Sequence, residues 1–178
     1  MRIFIGINLP SQLKNTLSKT TESMDTGNKV PPSNYHITLV YLGETSEAKK
    51  ETLHRALKTL VSSFEPCQLT LSHTDTFKKG KSHIVYVDVI KTHQLEDMQK
   101  RIKALASSLD FSLDDRPYNP HITLARQVKD APIKQPIHET FLVRSVSLFL
   151  SHRVAGELIY TPIETYPLKS HHDDGLLS

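Results

Sequence analysis

Cysteine occurs once in this chain, at Cys67. A lone thiol excludes an internal disulfide and suits a reducing, cytoplasmic setting. Long apolar runs are missing too, so no segment is built to cross a bilayer as a helix, and no membrane partner is expected. The opening Met1-Arg2-Ile3-Phe4-Ile5-Gly6 enters an apolar stretch directly, but Pro10 breaks it short of a secretory h-region. It reads as a first strand. Charge of one sign is also scarce. Lys and Arg number 22 against 19 Asp and Glu, which leaves a net charge of +3 and a pI near 8.9. That is a mild bias toward anionic partners, far from a dedicated polybasic binder. No Ser, Cys or Lys stands out as an activated covalent nucleophile.

What remains is an ordinary globular composition, 38% hydrophobic and 23% charged over 178 residues. That length predicts one domain with a real core. We place it at residues 1–170, followed by a polar tail at 171–178. Within it one phrase is said twice. His36-Ile37-Thr38-Leu39 returns as His121-Ile122-Thr123-Leu124. Each copy alternates as a half-buried strand does, so its His and Thr share one face and its Ile and Leu the other. A single H-x-T is unremarkable. Identical copies in the two halves point to function.

Around these motifs the pattern predicts strands at 2–9 and 35–42 with a helix over 10–25 between them. The apolar stripe of that helix (Leu13, Leu17, Met24) is weak. A helix over 46–63, stopped by Pro66, leads to strands at 67–77 and 83–90 joined at Lys78-Lys79-Gly80-Lys81. Thr92 reads as the N-cap of a helix over 93–109 with Leu95, Met98, Ile102, Leu105 and Leu109 on one face. The second motif strand covers 120–126. A Pro/Lys loop at 128–137 and a closing strand pair, 140–150 and 157–166 around Gly156, complete the chain. Each half thus runs strand, helix, H-x-T strand. The expected class is α+β, a bilobal pseudo-twofold arrangement of two antiparallel sheets flanked by helices, with a cleft between them.

Two imidazoles facing across a cleft can divide general-base and general-acid duty, because histidine titrates nearest neutral pH. Threonine hydroxyls and a cation can hold an anionic centre between them. With no covalent nucleophile in view, water is the natural attacker and a phosphodiester the natural target. A 2′,3′-cyclic phosphate suits especially well, since ring strain assists departure. Residue types alone do not say which histidine takes which role.

Three stretches carry a family resemblance: Phe4-Ile5-Gly6-Ile7-Asn8-Leu9-Pro10, Asn34-Tyr35-His36-Ile37-Thr38-Leu39-Val40-Tyr41-Leu42-Gly43, and Arg116-Pro117-Tyr118-Asn119-Pro120-His121-Ile122-Thr123-Leu124-Ala125-Arg126. On these the chain resembles the two-histidine (2H) phosphoesterases, and within them the RNA 2′,3′-cyclic phosphodiesterases also known as 2′-5′ RNA ligases. The resemblance implies the 2H phosphoesterase fold and hydrolysis of RNA 2′,3′-cyclic phosphate ends to 2′-phosphates. It implies His36 as proton donor to the leaving 3′ oxygen and His121 as the base that activates water. Thr38, Thr123 and Arg126 would bind the phosphate. No cofactor, no metal and no obligate protein partner are expected, only an RNA or nucleotide with a 2′,3′-cyclic phosphate end. Joining or cleaving 2′-5′ linkages is an alternative that uses the same groups. A non-catalytic RNA-end binder is another, disfavoured because binding alone needs no pair of proton-transfer groups.

Several further expectations follow. Gly6 replaces an alanine common in this family, a small-for-small change expected to matter little. Arg126, five residues past His121, falls on the opposite face under strict alternation and reaches the cleft only if the strand twists or the side chain curls back. Tyr41, at the same offset from His36, is expected to point to the core, outside the site. His54 is expected to be solvated. His73, His83, His93, His138 and His152 are expected at the surface or at strand edges. A metal site on His36 and His121 is disfavoured for want of a third ligand. Lys78, Lys79 and Lys81 read first as a solvated hairpin tip and second as RNA contacts.

Overall fold

Alternating apolar residues in Arg2–Asn8 (β1) place Ile3, Ile5 and Ile7 on a fully buried face. This strand organises the first lobe. His36–Glu44 (β3) pairs with one of its edges, and Ser145–Val154 (β8) with the other. Glu157–Pro167 (β9) completes a four-stranded antiparallel sheet in the order β3-β1-β8-β9. The second lobe repeats the scheme. Ser82–Val89 (β5) lies between His121–Val128 (β6) and Cys67–Lys79 (β4), with Pro136–Val143 (β7) beyond. Its order is β6-β5-β4-β7, extended at the β6 edge by the two-residue strand Asn28–Lys29 (β2). Strand for strand, β3-β1-β8-β9 corresponds to β6-β5-β4-β7, the predicted pseudo-twofold relation. The computed structural model describes residues 1–24 and 27–170; the tail at 171–178 lies outside these.

Three helices cover the sheets. Ser11–Thr20 (α1) follows Pro10. Glu47–Val61 (α2) is capped by Ser46, and His93–Ser108 (α3) by Thr92, whose hydroxyl accepts from Leu95 N at 3.2 Å as expected. Leu53, Leu57 and Val61 of α2 and Leu95, Met98 and Ile102 of α3 join Ile37, Ile122 and Leu148 in one apolar cluster that spans both lobes. Burying a side chain of this size is worth about 1.5–3 kcal/mol, so the shared core couples the lobes. Cys67 is buried within it as a free thiol.

Three expectations need correction. Helix α1 stops at Thr20, where backbone bonds from Thr21 to Ser18 and from Glu22 to Lys19 tighten the chain into turns. Met24 therefore lies beyond the helix and packs against Val85, Ala125 and Val128. The strand expected at 140–150 is two strands in different sheets, β7 and β8, broken at Arg144. The apolar run through both gives no sign of the switch. Finally, Gly6 is no neutral exchange for alanine: a β-carbon there would lie 2.7 Å from the Ile37 carbonyl oxygen. The β1 and β3 backbones approach too closely for it.

Candidate active site

Each catalytic candidate opens its strand, His36 on β3 and His121 on β6, and each ring is turned by the backbone just before it. His36 Nδ1 donates to the carbonyl of Asn34 at 2.7 Å, and His121 Nδ1 donates to the carbonyl of Asn119 at 2.8 Å. A carbonyl can only accept, so Nδ1 carries the proton in both rings and Nε2 is the atom offered to the cleft. The repeat is therefore longer than H-x-T. The carbonyl two residues upstream belongs to it, and the sequence shows asparagine there both times. The Asn34 side chain is buried and fixes its turn to β9, donating to Leu158 O at 2.9 Å and accepting from Tyr160 N at 3.1 Å.

Thr38 Oγ1 lies 2.9 Å from His36 Nε2. With the proton on Nδ1, the threonine hydroxyl donates to Nε2 while the ring is neutral. Protonation of Nε2 reverses that bond and frees the hydroxyl hydrogen for another acceptor. Thr123 occupies the matching position beside His121, half-buried and paired with Tyr86 across the ladder.

The two rings have different surroundings. His36 is packed among Phe4, Tyr160 and Phe149, at ring centroid separations of 4.7, 5.1 and 5.8 Å. Burial is the main reason its pKa is pushed down to about 4. The Asn34 carbonyl works against this, and the charges of His121, Arg126 and Lys14 add to it. His121 meets the edge of Tyr86, at 5.6 Å, and stands opposite Asp88 on β5. The corresponding neighbour of His36 is the neutral Asn8.

Strands β3 and β6 lie in contact, and the charges of His121 and Arg126 act on His36. Arg126 gets there through a β-bulge. One step on β5, from Tyr86 to Val85, faces two on β6, from Thr123 to Ala125. Leu124 and Ala125 are both buried, and the alternation restarts with Arg126 on the His121 side. The first motif carries the same irregularity: Gly6 pairs with Thr38 and Ile5 with Val40, and Leu39 and Val40 are both buried. Tyr41, expected in the core, is consequently 50% exposed and faces the cleft side.

Sequence reasoning also missed Lys14. It extends from α1 over the turn preceding His36, its ammonium donating to Ser33 O at 3.4 Å, and burial lowers its pKa. The weak apolar stripe of α1 gave no reason to single it out. Other histidines settle elsewhere. His54, expected to be solvated, is half-buried with its Nδ1 2.9 Å from Tyr166 Oη. His73 sits between Ser72 and Asp75, and His152 Nε2 lies 2.8 Å from Thr161 Oγ1. Among the described residues no three His, Cys, Asp or Glu side chains converge as metal ligands would, and no helix is long and apolar enough to cross a membrane.

The arrangement defines a two-lobed protein whose paired H-x-T strands, β3 and β6, lie in contact, each carrying an imidazole and a hydroxyl. The chain belongs to the 2′-5′ RNA ligase superfamily, whose profile matches residues 11–155. It is 30% identical over 128 residues to an RNA 2′,3′-cyclic phosphodiesterase of Bacillus subtilis, covering 70% of each chain. It is 27% identical over 173 residues to the Escherichia coli protein of the same name, covering 94% of this chain and 96% of that one. Its fold is similar to that of E. coli LigT in complex with 3′-AMP, with a TM-score of 0.84 at 24% identity over 95% of this chain and 98% of the other.

Proposed function

We propose that this chain hydrolyses 2′,3′-cyclic phosphate ends of RNA to 2′-phosphates by metal-independent general acid–base catalysis. His121 Nε2 takes a proton from water as its oxygen bonds to phosphorus. The bond from phosphorus to the 3′ oxygen breaks, and His36 Nε2–H supplies the proton that this oxygen acquires. The products are a 2′-phosphate and a 3′-hydroxyl. Thr38, Thr123 and Arg126 hold the non-bridging oxygens, where charge is concentrated in the transition state.

The observation that supports this most directly is the matched pair of Nδ1-to-carbonyl bonds, which leave Nε2 of each ring for proton transfer, with a threonine two residues further along each strand. In the free protein burial keeps His36 neutral at pH 7. The acid role therefore requires the phosphate itself: its negative charge, placed beside the ring, favours the imidazolium. Arg126 and Lys14 attract the same anion, so the cations that depress His36 in the empty site are offset in the filled one.

The test is an RNA oligonucleotide ending in 2′,3′-cyclic phosphate, incubated with the purified protein and EDTA. A 2′-phosphate end is the expected product. Loss of turnover with EDTA would overturn metal independence, and a 3′-phosphate product would overturn the assignment of the leaving oxygen.

A further inference from the structure

Two identical motifs do not by themselves decide which imidazole gives a proton and which takes one. Both rings are held alike, each by Nδ1 on a carbonyl two residues upstream. The residue across the ladder is what differs. In each lobe the central strand passes the motif histidine near its end, β1 with Asn8 opposite His36 and β5 with Asp88 opposite His121. The threonines are matched in the same way, Gly6 facing Thr38 and Tyr86 facing Thr123. Asn8 and Asp88 therefore hold one place in the pseudo-twofold scheme, filled by an amide in one lobe and a carboxylate in the other.

Aspartate is depleted from strands, yet Asp88 interrupts the apolar run Ile84-Val85-Tyr86-Val87-Asp88-Val89 of β5. Its neighbours Val87 and Val89 belong to the shared core, which turns Asp88 to the other face with Tyr86. Asp88 and His121 both line the groove between the β3 edge and the segment preceding β6. Residues directly opposite in an antiparallel pair have β-carbons about 4.5–5.5 Å apart, so the carboxylate stands beside the ring.

Asp88 is also uncommitted. It is half-buried, and among the described residues no cation forms an ion pair with it. The other acids nearby are taken. Asp75, opposite Tyr86, accepts from Thr76 N at 2.8 Å and has Lys134 Nζ at 3.3 Å and His73 Nε2 at 3.7 Å. Asp114, the other acid lining the groove, is paired with Arg116, and Lys103 donates to its carbonyl at 2.6 Å. On the far flank of Asp88 a bulge in β4 sets Ser72 and His73 against it, because Leu71 pairs with Val89 and Thr74 with Val87. His73 is occupied there by Asp75 and by Ser72, whose Oγ is 2.7 Å from its Nδ1. The remaining groups around His121 are the Tyr86 phenol, His36 and Arg126. Burial and the charges of Asp75 and Asp88 raise the Tyr86 phenol, which stays neutral.

We infer that Asp88 is a positioning residue for the proposed reaction: its carboxylate is the counter-charge for the imidazolium that His121 becomes on taking a proton from water. The inference rests on that reaction and explains its direction. His36, with a neutral amide across the ladder and cations acting on it, is set to give its proton up. His121, with a free carboxylate in the matching place, is set to take one.

The experiment follows kcat/KM against pH for an RNA oligonucleotide ending in 2′,3′-cyclic phosphate, with wild type, Asp88→Asn and Asp88→Glu. Asp88→Asn is isosteric and gives the second lobe the amide that the first already has. It should lower kcat/KM at pH 7 by about fivefold, the upper range for a cross-strand ion pair. It should also move the acidic limb of the profile to lower pH by about half a unit, since the imidazolium loses its counter-charge. Asp88→Glu keeps the charge and should recover most of both effects. A limb that stays in place in Asp88→Asn, or a loss that Asp88→Glu does not recover, would make Asp88 a structural residue and overturn the inference.

A second measurement needs no turnover. Followed by NMR in the free protein, the His121 ring nitrogens should titrate at lower pH in Asp88→Asn than in wild type. Those of His36 should titrate at higher pH in Asn8→Asp, where the new carboxylate keeps the bond that Asn8 Oδ1 accepts from Leu9 N at 3.0 Å. Unmoved titrations in both variants would overturn the inference while leaving the reaction standing. Shifted titrations in a protein whose wild type hydrolyses nothing would instead remove the reaction and keep the carboxylate–imidazole pair.

Discussion

Tyr118 Oη donates to the backbone carbonyl of Thr38 at 2.8 Å, joining residues 80 apart in sequence. The bond runs from the approach to the second motif into the strand of the first, and it holds the two sets of catalytic candidates in one frame. Burial raises the Tyr118 phenol well above its ordinary pKa, so it remains a donor across the neutral range. Tyr118→Phe should keep the ring packing and lose the bond. We expect a loss of about 1 kcal/mol in urea denaturation and a fall of about tenfold in kcat, because chemistry between two motifs depends on their relative placement. Unchanged kcat would show that the lobes keep their alignment without it.

Removing either imidazole should be far more damaging. His36→Ala and His121→Ala should each reduce single-turnover rates by ~10²–10⁴-fold, the usual contribution of a general acid or base. Substrate affinity measured by titration should change much less. A near-normal rate in either variant would contradict the assignment.

The depressed His36 pKa makes stability depend on pH in a defined window. The unfolded chain binds this proton at about pH 6.5, whereas the folded protein binds it only near pH 4. Below 6.5 the unfolded state therefore takes up more protons, and stability contributed by the neutral ring is lost as pH falls through 4. The ceiling is about 3 kcal/mol, reduced by the partial exposure of the ring. Urea midpoints measured from pH 7 to pH 4 should fall less steeply in His36→Ala than in wild type. Parallel slopes would place the ring in water.

Phosphate binding should move the same group in the opposite direction. Adding 2′-AMP should raise the His36 pKa by at least one unit, followed through its ring nitrogen shifts by NMR, since an adjacent anion favours the imidazolium. In the free protein Lys14→Ala and Arg126→Ala should each raise it as well, by removing a positive charge that acts on the ring. No movement on adding 2′-AMP would leave His36 without the proton that its proposed role requires.

Much of this architecture was legible in the sequence. Strand periodicity located β1, β3, β5 and β6 within about two residues, and the doubled H-I-T-L located the site. The misplacements of Tyr41 and Arg126 share one cause, because strict alternation takes no account of a slip in the strand. The bulges at Leu39 and Leu124 add one residue to each motif strand, and together they bring Tyr41 and Arg126 round to the functional face. Bulges leave no mark in residue type when both residues concerned are apolar. Long-range contacts were hidden for a different reason. Lys14 over the turn before His36, Tyr118 on Thr38, and His54 against Tyr166 are tertiary pairings, with no local pattern to announce them.

Among the described residues, β3 has a neighbouring strand on one flank only. Gln99 on α3, donating to Leu39 O at 3.3 Å, supplies part of what a second neighbour would have given. Motion of α3 away from this rim would release the His36 strand on that flank without unpairing any of its ladder. Support for the His36 strand on that flank thus rests on a helix side chain, and a substitution at Gln99 removes it without unpairing any of the sheet.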